Sequence, residues 1–519
     1  MAVLSSPLLS LIVLLPILFY YYREHKLRKR LPPGPPPLPF IGNLHQAPSK
    51  YPWRTYTEWH RQYGPIFSLQ YGPSTLIMLG NNAVTRDLLD KRSNIYSSRP
   101  RLMMVGECIS KGFRTLLLPY GVRWRVHHRL QASFLNIQMS ARYRELQDLE
   151  SKQVVYEFLT RNDFAKVFHR YSASLIFSLA YGRRAVTGEE EEVKVVDHIM
   201  LALNKAFLDT WIVDIFPALN ELPKFLAPWK WKADKMHQFE DKFFTGIMAE
   251  AENKKPWNWA KQAHEIKEST SLSRTELAYV LGVTYEAGSD TTTMALECFL
   301  LAAVLYPGAV CKAQEELDTV VGPERLPSFE DLDKLPYLQA FIREVHRWRH
   351  IIPGGVPHAV TEDDEYMGYY IPKGATVFGC HWAINMDPET YKEPERFDPD
   401  RWIENPNLPF SAFGFGRRVC PGQHVGQNSL LINISRILWA YNIEPTYEII
   451  DGKKVQCEID PLAFANSFNS NPLPFKVQLN ARNPKVGEVV TREWNAVEKD
   501  LDVILGRIDA SRRGSRGYS

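Results

Sequence analysis

The feature that most constrains this 519-residue chain is a single cysteine, Cys420, set among glycines and arginines in the segment 413–422. Gly416 lets the backbone turn where a side chain would collide with a flat ligand, and Arg418 lies two residues from the thiol. An apolar helical pattern follows, so free N–H groups at a helix start would stabilise the sulfur as a thiolate. Such a thiolate can ligate a haem iron, and an arginine can bind a haem propionate. The alternative is an ordinary buried thiol.

The overall composition excludes several kinds of protein. Lysine and arginine number 62 against 59 aspartate and glutamate residues, a net charge of +3, so no charge excess favours nucleic acid as a partner. The six cysteines lie apart without CxxC or CxH spacing, which argues against a zinc site and a disulfide framework and fits a reducing compartment. Hydrophobic residues make up 45% of the chain, enough for a sizeable core.

The N-terminus carries the pattern of a membrane anchor. Residues 2–22 are apolar apart from three serines and end in three tyrosines, which is long enough to span a bilayer. Five cations follow within 23–30, so we predict a single transmembrane helix over 1–22 with the rest of the chain in the cytosol. A cleaved signal peptide is the weaker alternative, because the cations follow the apolar run and no A-x-A-like site is visible. The proline-rich run 31–39 predicts a stiff hinge, which makes 23–50 a basic flank and spacer.

Residues 51–482 contain no visible linker and no repeat, which predicts one continuous domain. Long amphipathic stretches dominate, and short strand-like runs occur at 66–71 and 376–378, so we predict a single mainly α domain with a minor β-sheet portion. An apolar stripe at helical spacing follows. It predicts a C-terminal extension over 483–519, made of one amphipathic helix and a basic tail that we expect to be disordered.

A cluster of small and polar residues interrupts an apolar helical pattern at 287–292. Read alone, its Gly-Ser-Asp-Thr sequence is typical of a helix end followed by a new N-cap. Apolar residues continue at helical spacing on both sides until Pro307, however, and favour one helix over about 273–306. Such a helix would be about 50 Å long at 1.5 Å per residue. It would carry Asp290 and Thr291 near its middle.

Together these motifs resemble those of the cytochrome P-450 family, in family order and over nearly the whole chain. The cysteine segment matches the haem-binding signature of the family, and 287–292 matches the oxygen-binding stretch of its long central helix. A third motif, Glu344-x-x-Arg347, followed by a proline-rich segment that contains Arg396, matches the charge motif of the family. The residues that match the haem signature are Phe413, Gly416, Arg418, Cys420 and Gly422.

The resemblance implies a fold, a cofactor and roles for the matched residues. The fold would hold haem b between the long central helix and the helix that follows its axial thiolate ligand, Cys420. Thr291 would hydrogen-bond the oxygen bound to the iron, and Asp290 would relay protons from solvent. The members of a buried charge triad behind the haem would be Glu344, Arg347 and Arg396.

The haem propionates need further donors, and the resemblance implies Trp124 and His358. Family members usually have an arginine four residues after this tryptophan, whereas this chain has His128. A histidine still donates a hydrogen bond, but with a shorter side chain and a charge that depends on pH. A solvated loop or an ordinary core position is the alternative for both histidines, and Arg125 or Arg129 could then contribute.

The resemblance also implies an activity and partners. The chain would be a monooxygenase that inserts one oxygen atom from dioxygen into a large hydrophobic substrate, with electrons from an NADPH-dependent cytochrome P-450 reductase. Its anchor would place it in the endoplasmic reticulum membrane, and the sequence around 355–364 resembles fungal members of secondary metabolism. The same haem could give desaturation or oxidative coupling instead. A haem-binding sensor without turnover is the alternative outside enzymes, but the Asp290–Thr291 pair argues against it.

Family substrate pockets draw on variable segments, which here carry large apolar side chains suited to a large hydrophobic substrate. Simple core packing is the alternative for each of these side chains. By position the segments are 99–114, 197–231, Tyr285 with Glu286, 350–356 and 464–471. Their apolar candidates are Phe207, Trp211, Ile212, Phe216, Phe464 and Phe468.

Overall fold

The structure is a computed structural model that describes residues 26–209 and 211–514. The predicted transmembrane helix over 1–22 lies outside the described residues, as does the end of the basic tail, 515–519. The remaining predictions can be compared with the described part of the chain.

Helices dominate the described residues, as the amphipathic patterns predict. The α-helices are α1 (Pro52–Tyr63), α2 (Asn82–Thr85), α3 (Ser93–Tyr96), α4 (Val122–Leu135), α5 (Ile137–Arg142), α6 (Arg144–Glu157), α7 (Phe164–Tyr181), α8 (Glu191–Leu208), α9 (Ile212–Ile215), α10 (Pro228–Glu252), α11 (Trp259–His264), α12 (Arg274–Leu305), α13 (Pro307–Val320), α14 (Pro336–Trp348), α15 (His381–Asn385), α16 (Asp400–Glu404), α17 (Gln423–Ala440), α18 (Pro484–Ala496) and α19 (Leu501–Gly514). Short 3₁₀ or π segments lie at Leu44–Gln46, Arg86–Lys91, Met103–Ile109, Thr115–Leu117, Pro217–Glu221, Lys224–Leu226, Lys267–Ser271, Leu332–Lys334 and Gly416–Arg418.

The sheets are small and lie beside the helices. The strands are β1 (Ile66–Tyr71), β2 (Ser74–Leu79), β3 (His358–Ala359), β4 (Asp364–Tyr366), β5 (Tyr369–Ile371), β6 (Thr376–Gly379), β7 (Tyr441–Pro445), β8 (Tyr447–Ile450), β9 (Lys453–Gln456) and β10 (Val477–Ala481). One sheet has four strands in the order β1-β2-β6-β3, and the others are the pairs β10-β7, β4-β5 and β8-β9. Within the larger sheet β2 runs parallel to β6, with Leu76 opposite Thr376, and the other neighbours are antiparallel. The two strand-like runs of the sequence are therefore confirmed as β1 and β6.

The long helix α12 lies in the centre of the core and matches the predicted helix 273–306. The Ser273 side chain caps its first turn by accepting a hydrogen bond from the Glu276 N–H at 3.1 Å. Helix α12 ends at Leu305, two residues before Pro307, which cannot continue it. Among the described residues, α12 is also the one helix long and apolar enough to cross a membrane, but most of it is buried inside the protein.

The C-terminal extension differs from the prediction of one helix. The chain leaves α18 after Ala496 with Val497 in an extended conformation, and α19 begins at Leu501. Ile504, Leu505 and Ile508 of α19 are fully buried, so the apolar stripe is shared by two helices. Residues 511–514, predicted to be disordered, belong to α19, where the buried Arg512 pairs with Glu265 at 2.6 Å.

A buried carboxylate, Glu344 of α14, holds together the segment before the cysteine loop. It accepts hydrogen bonds from the Arg347 guanidinium at 2.7 and 2.8 Å and from the Arg401 Nε at 3.0 Å. The Trp402 Nε1–H and the Asp398 backbone N–H also donate to it, both at 2.9 Å. Every lone pair of this carboxylate therefore has a partner, which offsets the cost of burying its charge.

The prediction that Arg396 completes this charge triad is wrong. Its side chain is 62% exposed, and its nearest acid is Glu393 at 3.9 Å. Only its backbone takes part, because the Arg396 carbonyl accepts from Arg347 at 3.0 Å. The third member is Arg401, which α16 carries into the core five residues further on and which is 7% exposed.

This geometry predicts different outcomes for two neighbouring arginines. Arg401→Met should lower the free energy of unfolding by about 3–5 kcal/mol, because it leaves the Glu344 carboxylate buried with one counter-charge removed. Arg396→Met serves as the matched control and should leave stability unchanged, since that side chain lies in solvent. Denaturant titrations of both variants would measure the effect. Equal destabilisation by the two substitutions would contradict the assignment of Arg401.

Candidate active site

A cavity of about 380 Å³ separates the middle of α12 from the cysteine segment. Gly288 and Thr291 line one side, and the loop from Phe413 to Cys420 lines the other. The two motifs, more than a hundred residues apart in the sequence, therefore face one space. Phe413 is held there by an edge-on contact with His346, with ring centroids 5.3 Å apart.

Cys420 lies at the floor of this cavity, just before α17. Its backbone N–H donates to the Phe413 carbonyl at 2.8 Å, which closes the loop. Burial raises the pKa of the Cys420 thiol, although a backbone hydrogen bond from Gly422 lowers it. The backbone N–H groups at the helix start thus favour the thiolate, as the sequence argument expects, but burial has the larger effect. A thiolate is favoured here only opposite a positive centre, and a haem iron would supply one.

Gly416 is required by protein packing. Its φ is +54°, and a Cβ would lie 2.1 Å from the Leu89 carbonyl oxygen. Its N–H donates to the Asp90 carboxylate at 2.5 Å. The sequence suggested that a side chain at position 416 would collide with a flat ligand. In the structure such a side chain would collide with the backbone of the Arg86–Lys91 segment. At Gly422 a Cβ would meet only the Cys420 sulfur, at 3.8 Å, so that glycine keeps the cavity floor open.

A ring of donors surrounds one edge of the cavity, and we call it the donor rim. The Arg418 guanidinium lies 4.4 Å over the Trp124 ring, which in turn stacks on His128 with centroids 4.7 Å apart. The His358 Nδ1 hydrogen-bonds the Tyr96 carbonyl at 2.8 Å. The members of the donor rim, all of which line the cavity, are Arg99, Trp124, His128, His358 and Arg418.

Arg99 was not predicted as part of this group. The sequence placed it only at the start of a substrate segment. Its guanidinium donates to the carbonyls of Leu116 and Pro357, at 3.0 and 2.5 Å. Those acceptors come from distant parts of the chain, so no local pattern could have revealed its position.

The donor rim has buried positive charge without a counter-charge. Among the described residues, Arg99 and Arg418 donate only to backbone carbonyls, and neither pairs with a carboxylate. Burial lowers the pKa of Arg418 to about 9, and burial and the neighbouring arginine lower the pKa of Arg99 and of His358. Two carboxylates at this edge would restore the balance, and the propionates of a haem meet that requirement. The residues present therefore fit the group that the resemblance implies.

His128 is present where an arginine was expected, and it lines the cavity beside Arg418. Burial, with a contribution from Arg418, lowers the pKa of its imidazole, which favours the neutral ring. A neutral imidazole donates one hydrogen bond but adds no charge. Arg99, which is buried, thus adds a second guanidinium to that of the half-buried Arg418 in the donor rim, and Arg125 and Arg129 lie on the exposed face of α4.

On the opposite wall, the side chains of Thr291 and Asp290 have different surroundings. The Thr291 hydroxyl donates to the Ala287 carbonyl at 2.8 Å, and its side chain lines the cavity. Asp290 does not line it, and the charges that act on its carboxylate are those of His169 and Asp197. Those two side chains lie 3.1 Å apart, and burial raises the pKa of Asp290. The acid and the alcohol are therefore adjacent in sequence but face different surroundings.

Gly288 has a packing role that the sequence did not suggest. A Cβ there would lie 2.6 Å from the Ile176 side chain of α7. The glycine therefore lets α12 approach α7 closely beside the cavity.

The predicted substrate residues fall into two groups. Phe207 and Phe468 line the cavity and stack on each other, with centroids 5.3 Å apart and planes 16° apart. Ile212 and Phe216 lie on the surface, 55% and 54% exposed. Phe464 belongs to the main core, while Trp211 packs against the Met103–Ile109 segment. Of the two residues named on the central helix, Glu286 lines the cavity and Tyr285 is packed in the core.

The donor rim yields a prediction about haem retention. Arg99→Met should speed loss of haem by on the order of tenfold or more, because it removes a buried donor to a propionate. Arg129→Met removes an equal charge from the exposed face of α4 and should have no effect. Transfer of haem to an excess of apomyoglobin measures both rates. An unchanged rate for Arg99→Met would exclude that arginine from the haem site.

The sequence of this chain is similar to those of known proteins over most of its length. The family model for cytochrome P-450 matches residues 32–456. The chain is 46% identical over 490 residues to the cytochrome P-450 monooxygenase FrzL of Cladobotryum sp, covering 94% of this chain and 95% of the relative. It is 46% identical over 488 residues to the monooxygenase aneD of Aspergillus aculeatus, covering 93% and 94%. It is 40% identical over 502 residues to the echilunin cytochrome P-450 monooxygenase of Aspergillus ruber, covering 95% and 92%. With its cysteine loop and central helix facing one cavity, this chain belongs to the cytochrome P-450 family of monooxygenases.

Proposed function

We propose that this chain inserts one oxygen atom from dioxygen into a large hydrophobic compound of fungal secondary metabolism. The observation that carries the proposal is the single cavity with Cys420 on one wall and Thr291 on the other. A sensor or carrier of haem needs the first residue but not the second. The relatives named above, all described as monooxygenases and all from fungi, support the same reading.

Some residues would bind the haem and the substrate, and others would transfer protons. Cys420 would hold the haem iron through its sulfur, and the donor rim would hold the propionates. When bound, the haem supplies the activation of dioxygen with electrons delivered one at a time. The apolar walls would orient the substrate and exclude water from the reacting atoms.

Thr291 and Asp290 would deliver protons to this cavity. The Thr291 hydroxyl already donates to the Ala287 carbonyl, so its oxygen can accept a second hydrogen bond from water or donate after a small rotation. Asp290, with a raised pKa, can carry a proton near neutral pH more readily than an exposed aspartate. The charges of the His169–Asp197 pair act on the Asp290 carboxylate, and Asp197 is 48% exposed. These residues support a route for protons from the surface.

We further propose that the protein is anchored in the endoplasmic reticulum membrane and receives electrons from an NADPH-dependent reductase. The apolar run 2–22 with its basic flank supports the anchor. Arg125 and Arg417 are exposed on the side of the cysteine loop, where a cationic face would attract an acidic flavoprotein.

The first test is of the iron ligand. Cys420→Ser should abolish the red-shifted absorption band of the reduced carbon-monoxide complex, because an alcohol does not replace the thiolate. The matched control is Cys298→Ser, a buried cysteine of α12 that does not line the cavity. Its band should stay where it is. A thiolate-type band in the Cys420 variant would refute the assignment of the ligand.

A second test separates proton delivery from substrate binding. Thr291→Ala should lower product formed per NADPH by on the order of 10- to 100-fold, with the electrons recovered as hydrogen peroxide, because proton transfer to oxygen is misdirected. Thr291→Ser keeps the hydroxyl and should restore coupling. Product and peroxide are measured together after reconstitution with a reductase. Full coupling in the alanine variant would mean that this hydroxyl has no part in proton delivery.

A further inference from the structure

Residues of α8 and of the loop 464–471 line one end of the cavity. Phe207 of α8 and Phe468 of the loop stack face to face, with their centroids 5.3 Å apart. This contact joins the two segments and fixes their relative position. Whatever lies next to the two rings on each segment is therefore brought to the same end of the cavity.

An asparagine lies beside each of these rings. Asn204 is one turn before Phe207 and so shares its face of α8, and Asn469 directly follows Phe468. Both line the cavity. Neither side chain hydrogen-bonds to another residue in the described part of the chain, although Asn469 is only 7% exposed. By contrast, Gln131, another amide that lines the cavity, donates to the Thr284 hydroxyl at 3.2 Å.

The loop that carries Asn469 is rigidly held. The Ser470 N–H donates to the Ile351 carbonyl at 2.8 Å, and the Ser470 hydroxyl donates to the Ala465 carbonyl at 2.8 Å. The Ala465 N–H in turn donates to the Asn471 carbonyl at 2.8 Å. Asn469 is thus presented by a loop whose own polar groups are paired, so little ordering is needed when a ligand binds.

The charged groups on this wall are already neutralised. Arg114, which is buried, pairs with Glu286 and lies 2.9 Å from the Glu240 carboxylate. The Tyr279 hydroxyl also hydrogen-bonds the Glu240 carboxylate, at 3.2 Å, so these charged groups are all paired within the protein. A charged ligand group would therefore meet no free counter-charge here, and the geometry favours an uncharged one.

We propose that this end of the cavity binds an amide or lactam group of an uncharged substrate, with Asn204 and Asn469 as its hydrogen-bonding partners. The inference rests on the proposed function, since it assigns the substrate class of the same site. Each carboxamide offers both an N–H donor and a carbonyl acceptor, and so does an amide. A ketone or ester accepts hydrogen bonds from the two asparagines but offers no N–H. It therefore leaves unpaired an acceptor that an amide would pair, and binds about threefold more weakly than an amide.

The test uses three small probes of nearly equal shape on the full-length, haem-loaded protein. Bibenzyl has no polar group, deoxybenzoin has a carbonyl alone, and benzanilide has an amide in the same linking position. Equilibrium dialysis gives the Kd of each, corrected for its partition between water and octanol. We expect benzanilide to bind about tenfold more tightly than bibenzyl, with deoxybenzoin between them.

Two variants then assign the preference to the asparagines. Asn204→Leu and Asn469→Leu should each reduce the advantage of benzanilide by about fivefold or more while leaving the Kd of bibenzyl within about twofold. Asn407→Leu, on an exposed loop, is the control and should change neither Kd.

Three results would overturn the inference: no binding of benzanilide, no preference over bibenzyl in the wild type, or a preference that survives both substitutions. Dialysis does not depend on catalysis. A protein with the normal carbon-monoxide band and no amide preference would therefore contradict this inference and leave the proposed function standing. A protein without that band would contradict the proposed function instead.

Discussion

Charge buried without a protein partner governs the active site. At one edge of the cavity Arg99 and Arg418 donate only to carbonyls, and at its floor burial disfavours the thiolate of Cys420. The protein alone satisfies neither condition. A ligand with two carboxylates at its edge and a metal cation at its centre satisfies both at once, so the arrangement selects haem by electrostatics as well as by shape.

In the network around Glu344, by contrast, every buried charge is paired within the protein. Glu344 has hydrogen bonds from two guanidinium groups, an indole and a backbone N–H, and Arg347 also donates to the carbonyls of Asn385 and Pro394. A carboxylate satisfied in this way tolerates no substitution of a partner, because any loss leaves charge in the core. The site can therefore keep unpaired charge at its edge, since the segment that positions the cysteine loop is held by a closed network.

The sequence was most informative where function lies in a continuous stretch. The cysteine segment and the central helix could be predicted because their pattern is local, and the helix 273–306 agrees with α12 within a residue. The third triad member could not, since Arg396 and Arg401 share one proline-rich segment and only the turn into α16 buries the second. Arg99 left no local signal either. Pairing across distant segments is set by tertiary packing, which spacing along the chain does not encode.

The same principle extends from the haem to the substrate. Beside the cavity the Gln131 carboxamide is paired, because it donates to the Thr284 hydroxyl at 3.2 Å. Asn204 and Asn469 keep free carboxamides on the wall of a cavity that is otherwise largely apolar. An aliphatic side chain would fill either position at a lower desolvation cost when a purely hydrophobic substrate enters. Free amides on a rigid part of the cavity wall therefore favour a ligand that pairs with them, and stacking between Phe207 and Phe468 joins the two segments that carry these amides.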